Sequence, residues 1–290
     1  MIQVIAAVLF TTAAATSASA QETAQAPAPN ENKTTAATAP AQEDDPDRDV
    51  HLAQPDFTLV GLPTTLRVPR HRSSFRVTHR FGRPLGAGDF GDLASDLFGL
   101  DNGAIIGLEY RFGLFRATQV GIHRTSNRTI QFLLQREVLS TSGRFPLTID
   151  ALATAEGTNN FRDSYSPALG AVLSTEVKDR AAFYLEPIWV NNSNPLPEEL
   201  VDDNSSFLIG IGTRVRIRPT VYLVLEGSPR VAGYDPDYTQ ISFGIEKRVG
   251  GHLFQLNFSN AVGTTFAQIA RGATNNDDWY LGFNISRKFF

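Results

Sequence analysis

From Phe75 onward the chain alternates apolar and polar residues with a period of two, the spacing of strands that present one greasy face. Phe75, Val77, His79 and Phe81 share one face of the first run, with Ser74, Arg76, Thr78 and Arg80 opposite. The second sets Ile106, Leu108, Tyr110 and Phe112 against Gly107, Glu109 and Arg111. The clearest, the eighth, sets Phe207, Ile209, Ile211, Val215 and Ile217 against Gly210, Gly212, Arg214, Arg216 and Arg218. With the runs near 119–123, 130–135, 147–156, 168–177, 181–190, 220–228, 238–248, 252–260 and 279–290, the pattern predicts about twelve strands. Their lengths, roughly 9–12 residues, are those of tilted membrane strands.

The connections add a second regularity. Tight turns such as Lys178-Asp179-Arg180, Arg218-Pro219-Thr220 and Val249-Gly250-Gly251 alternate with long stretches such as 83–101, 191–203 and 261–277. The connection between the fifth and sixth strands is also read as long, and only Thr125-Ser126-Asn127 breaks the scheme. Membrane barrels show this asymmetry, with short periplasmic turns and long external loops. An even strand count puts both ends of the barrel on the periplasmic side. In the long 83–101 connection, Asp92–Phe98 could form a helical turn. Phe81, Trp189, Tyr238 and Trp279 then fall near the outer rim and Tyr222 and Phe289 near the inner one, as interface aromatics. The expected fold is all-β: a single antiparallel up-and-down transmembrane β-barrel with a disordered N-terminal tail. A soluble β-sandwich or lipocalin-like barrel would alternate as well, with its apolar face inward.

The N-terminus supports export. Met1 to Ala20 carries an apolar stretch and ends on Ala18-Ser19-Ala20, a signal-peptidase pattern, although no Lys or Arg lies in its first ten residues. Residues 21–56 are rich in Ala, Pro, Thr and acids, and are expected to stay disordered as a periplasmic tail before a barrel at 57–290. Eight acids against Lys33 and Arg48 leave the tail at −6, so with the whole chain at −4 the barrel region carries +2. That near-neutral balance gives no support to nucleic-acid binding. With no cysteine, there is no disulfide framework and no thiolate metal site.

Several segments carry a family resemblance. Leu62-Pro63-Thr64-Thr65-Leu66-Arg67 leads into Phe75-Arg76-Val77-Thr78-His79-Arg80-Phe81-Gly82, and Leu97-Phe98-Gly99-Leu100-Asp101 follows. Later come Gly250-Gly251-His252-Leu253-Phe254-Gln255-Leu256 and Gly282-Phe283-Asn284-Ile285-Ser286-Arg287. Together they resemble the bacterial β-barrel family DUF5777. The resemblance covers nearly all the chain after Phe57 and implies a Gram-negative outer-membrane barrel, but it brings no catalytic residues. The ending through Phe283, Ile285, Phe289 and Phe290 looks like the insertion signal read by the barrel-insertion machinery, with Phe290 one residue out of phase.

On this phase the interior holds Arg76, Arg80, Glu109, Arg111, His123, Glu176, Glu186, Arg214, Arg216, Glu226, Glu246 and Arg248. Opposed charges could set the constriction of a narrow, porin-like pore for small solutes, or could fill the lumen as a salt-bridge lattice. The inward apolar residues Leu133, Leu152, Val172, Leu208 and Val224 point to incomplete hydration. A second reading is a structural barrel that binds an envelope partner, with the acidic tail as a contact surface. A rim hydrolase is a third. His79 and His123 lie near one rim and Ser126 and Asn127 follow His123, yet no Gly-x-Ser-x-Gly elbow occurs. No catalytic residue, metal site or cofactor is assigned. Expected partners are outer-membrane lipid, the insertion machinery and a periplasmic protein reached through the tail.

Overall fold

The wall sorts its residues in the sense opposite to a soluble protein. In a computed structural model that describes residues 51–97, 99, 103–143, 145–196, 200–201, 203–235 and 238–290, outward side chains such as Leu108, Tyr110, Phe132, Leu134, Leu223, Leu225, Phe254 and Leu256 are 43–51% exposed. Inward Arg76, Glu109, Gln135, Arg214, Glu246 and Gln255 are at most 6% exposed. Only a lipid surround gives the apolar face a favourable neighbour, and only a closed barrel satisfies every wall amide without water. The expected export segment 1–20 and residues 21–50 of the expected tail lie outside the described residues.

The strands are β1 (Ser73–Phe81), β2 (Ala104–Phe115), β3 (Thr118–Thr125), β4 (Ile130–Ser140), β5 (Leu147–Gly157), β6 (Asp163–Val177) and β7 (Ala181–Asn191). They continue with β8 (Ser205–Arg218), β9 (Val221–Ser228), β10 (Arg230–Gly233), β11 (Gln240–Val249), β12 (His252–Ser259) and β13 (Tyr280–Lys288). Each pairs antiparallel with its neighbour, and the seam is closed by the first strand on the last, from Ser74 opposite Lys288 to Arg80 opposite Gly282. β9 and β10 both pair with β8 and are interrupted at Pro229, which has no amide hydrogen to give the ladder. They fill one place in the wall, so the barrel has twelve strands. The β5–β6 connection is only the turn 158–162, shorter than the sequence suggested, because β6 begins at Asp163. Asn159, Asn160 and Phe161 make that turn with positive φ. The helical turn in the first long loop is Phe90–Ser95, capped by Asp89, slightly earlier than the 92–98 expected.

The lumen is filled from both ends. Ahead of β1, residues 53–68 enter the barrel as a hairpin, which places the buried residues Gln54 and Asp56 inside the fold and not in a tail. Leu59 N donates to Leu62 O at 2.7 Å and Thr64 N to Phe57 O at 2.9 Å, so the chain reverses at Val60-Gly61. From the opposite end, the β12–β13 loop sends in the short helix Phe266–Arg271, with Phe266, Ala267, Ile269 and Ala270 buried. The two meet inside, where a methyl on Gly61 would lie 3.4 Å from Ile269 Cδ1. They share one apolar cluster with the inward Leu133, Leu152, Val172, Ile188, Leu208 and Val224. Those wall residues are unhydrated because the chain itself covers them.

Candidate functional site: a hairpin held in the lumen

The hairpin makes few hydrogen bonds of its own, so the wall supplies partners for its peptide groups. At the tip, the Glu226 carboxylate on β9 accepts Val60 N at 2.9 Å, Gly61 N at 2.9 and 3.0 Å, and Leu62 N at 3.1 Å. An anion on consecutive backbone N–H groups forms charge-assisted bonds, stronger than neutral ones. Donors take the carbonyls. Arg214 gives Nη2 to Thr58 O at 2.6 Å, Gln255 Nε2 reaches Leu59 O at 2.9 Å, and Asn284 Nδ2 reaches Val60 O at 3.0 Å. On the return leg Gln135 donates to Thr64 O at 2.7 Å, and Gln119 donates to Leu66 O and accepts Val68 N.

Shape matches charge. Gly210 and Gly212 on the inner face of β8 are slots for the hairpin's leucines: a Cβ on Gly212 would lie 2.2 Å from Leu59 Cδ1, and one on Gly210 3.0 Å from Leu62 Cδ1. Gly113 on β2 makes the same room under the backbone of Val68 and Pro69, whose carbonyl oxygens would lie 2.5 and 2.2 Å from a Cβ there. The wall is a mould of this segment.

Of the inward charges picked out by periodicity, Arg76, Glu109 and Arg111 join in one cluster, with Arg76 Nε 2.7 Å from Glu109 Oε2. Arg214 and Glu246 form a two-bond pair at 2.8 and 2.9 Å, 0% exposed on both sides. Arg80 donates to Asn284, and Glu226 grips the hairpin. Glu176 holds Gln54 and His51 near the terminal mouth, and Arg216 and Arg248 are half-buried at that end. Glu186 is fully buried beside Glu226, and among the described residues neither of its oxygens nor His123 Nε2 has a hydrogen-bond partner. The interior therefore combines ion pairs with a docked segment that alternation did not reveal. Its signal was indirect: inward glycines and inward leucines that needed something to cover them.

The rim residues stay apart. His79 faces outward, its ring stacked on Phe283 at 4.7 Å, while His123 is buried on the inward face. Ser126 Oγ is taken by the amide of Ile106 at 3.0 Å. The structure thus does not bring these residues together as a nucleophile and base. Among the interface aromatics, Trp189 and Phe289 are exposed, and Trp279 is half-buried 5.5 Å from Phe243. Tyr238 is half-buried in a loop bridge to Ala273. Phe81, expected at the interface, is only 7% exposed because His79 and Phe283 pack on its ring; Tyr222 is 0% exposed and points inward. In the C-terminal segment Phe283 and Ile285 take the outward phase of β13, and Phe290 explains its own irregularity by packing 6.5 Å from the hairpin's Phe57. Among the described residues no group of three or more His, Cys, Asp or Glu is placed to hold a metal.

No curated protein matches the sequence. Solved structures of similar architecture include the NanC porin, at 8% identity and a TM-score of 0.48 over 75% of this chain and 99% of that one. Omp33 of Acinetobacter baumannii has 9% identity and a TM-score of 0.43, covering 76% of this chain and 98% of its own. Outer membrane phospholipase A from Escherichia coli has 10% identity and a TM-score of 0.43, covering 76% and 91%. Porins and an enzyme occur side by side among them, so the likeness says nothing of activity. A family model is more decisive: over residues 56–289 the chain matches the membrane bound beta barrel domain DUF5777, and it belongs to that family.

Proposed function

We propose that this protein is an outer-membrane channel held shut by its own N-terminal hairpin. The observation that carries the reading is the Glu226 grip on Val60, Gly61 and Leu62, set among wall donors that hold the hairpin by its backbone. Groups that bond peptide N–H and C=O can bond water equally well once the peptide leaves. With the hairpin withdrawn, the face carrying Arg76, Glu109, Gln119, Gln135, Arg214, Glu246, Gln255 and Asn284 would line a wettable path for small polar solutes. Residues 21–50 precede the hairpin in the chain, so on this reading a periplasmic partner pulling on them would act on the stopper. The partner-binding and channel readings then become one mechanism.

Single-channel recording in planar bilayers tests this. The intact protein should be nearly silent, and a variant lacking residues 53–69 should conduct. A deletion variant that folds, as judged by heat-modifiable mobility on gels, yet stays silent would overturn the reading.

A further inference from the structure

At the hairpin's entry, the terminal mouth of the barrel contains a cavity of about 370 Å³, bounded by His51, Arg72, Arg248, Ser286, Lys288 and Phe290, among others. Its charge differs from that of the deeper lumen. Farther in, each of Arg76, Arg111 and Arg214 has a carboxylate within 4 Å. Among the described residues Arg72, Arg248 and Lys288 have none at that distance. The ammonium of Lys288 instead faces two rings, 5.1 Å from the centroid of Phe57 and 5.8 Å from that of Phe290. Arg72 and Arg248 also line the cavity, their backbones fixed by hydrogen bonds to Pro69 and Gly113 and to Thr220 respectively. Asp56, which also acts on Lys288, accepts a hydrogen bond from Ser286 Oγ at 2.8 Å, and His51 faces Glu176 at 3.6 Å.

Three cationic side chains lining one concave space repel one another, and an anion bound among them relieves that repulsion. Arginine forks suit planar carboxylates and phosphates, and the cavity admits a solute of modest size. We propose that this vestibule binds a small solute bearing phosphate or carboxylate groups. The site sits at the mouth, away from the Glu226 grip, so it stands or falls independently of the channel reading.

The test uses the full chain in nanodiscs of phosphatidylcholine, titrated calorimetrically with inorganic phosphate and separately with citrate. Saturable binding is expected for at least one of them. Arg248→Gln should weaken it about tenfold, the order of one charge-assisted contact, and Arg72→Gln/Arg248→Gln should weaken it further. Added sodium chloride should weaken it too, by screening. The same titration in phosphatidylglycerol discs separates the anion's sources: unchanged affinity assigns the site to free solutes, and a suppressed titration assigns it to lipid phosphate. No saturable binding of either anion, or affinity unaltered in a double variant of normal heat-modifiable mobility, would overturn the proposal.

Discussion

Two pieces of chain occupy the lumen, and they are held in different ways. The helix Phe266–Arg271 closes part of its backbone internally, with Ile269 N donating to Thr265 O at 2.8 Å, and its first two amides take acceptors from the wall: Gln131 for Phe266 N at 2.8 Å and Glu156 for Ala267 N at 3.2 Å. Arg271 Nε adds a bond to Ser193 O at 2.9 Å and Gln268 one to Thr129 Oγ1 at 3.4 Å, and the apolar part of its hold comes through Phe266, Ala267, Ile269 and Ala270. The hairpin closes few internal bonds and depends on side chains of β3, β4, β8, β9, β12 and β13 for the others. A backbone that is not bonded to itself must be bonded to its container. Water can replace those polar contacts one at a time, while withdrawal of either segment also exposes apolar surface, Leu59, Val60 and Leu62 on the hairpin and Phe266 and Ile269 on the helix. Of the two, the hairpin takes more of its backbone bonds from wall side chains.

That contrast can be broken most violently by deleting residues 53–69, which should turn a silent barrel into a conducting one. Gly212→Leu comes next, because it drives a side chain into the space of Leu59 without touching any charge. It should expel the hairpin and raise conductance towards that of the deletion, with the helix still protected from proteolysis. Glu226→Ala leaves three tip amides to find other acceptors, and should loosen hairpin docking by about 3 kcal/mol. Faster hydrogen exchange at Val60, Gly61 and Leu62, with little change at Ile269, is the expected signature. Ile269→Ala should act the other way round: it removes a side chain only 1% exposed, costs about 2–4 kcal/mol in thermal stability, and leaves the channel shut. The smallest effect is expected from Gln131→Ala, about 1 kcal/mol, because one acceptor for a helix amide is lost while the apolar face stays buried.

The wall was legible in the sequence because each of its strands alternates locally. Phe75 to Phe81, or Phe207 to Ile217, declares its two faces with no knowledge of its neighbours. Membrane barrels also invert the usual polarity, so the inward charges emerged with the strands. The hairpin was not legible. Phe57-Thr58-Leu59-Val60-Gly61-Leu62-Pro63 has no period, and its structure is dictated by residues more than a hundred positions away, such as Glu226 at 164–166 residues' separation. Placing the edge of a disordered tail at Asp56 followed composition, and composition cannot see that Ser286 awaits that carboxylate. Phe81 and Tyr222 misled for a related reason. An aromatic near a strand end reads as interfacial until its neighbours in space are known. The trace the hairpin leaves in the sequence is the set of inward glycines at 113, 210 and 212, whose meaning only the structure supplies.

The pairing of the first strand with the last ties closure of the wall to the fate of that guest. Both seam strands reach into the hairpin, β1 through Arg76 and Arg80 to Val60 O and β13 through Asn284 and Ser286. Closing the cylinder and seating the hairpin therefore draw on the same two strands. A chain halted before Tyr280 would lack both the final stave and two of the hands that seat the cork.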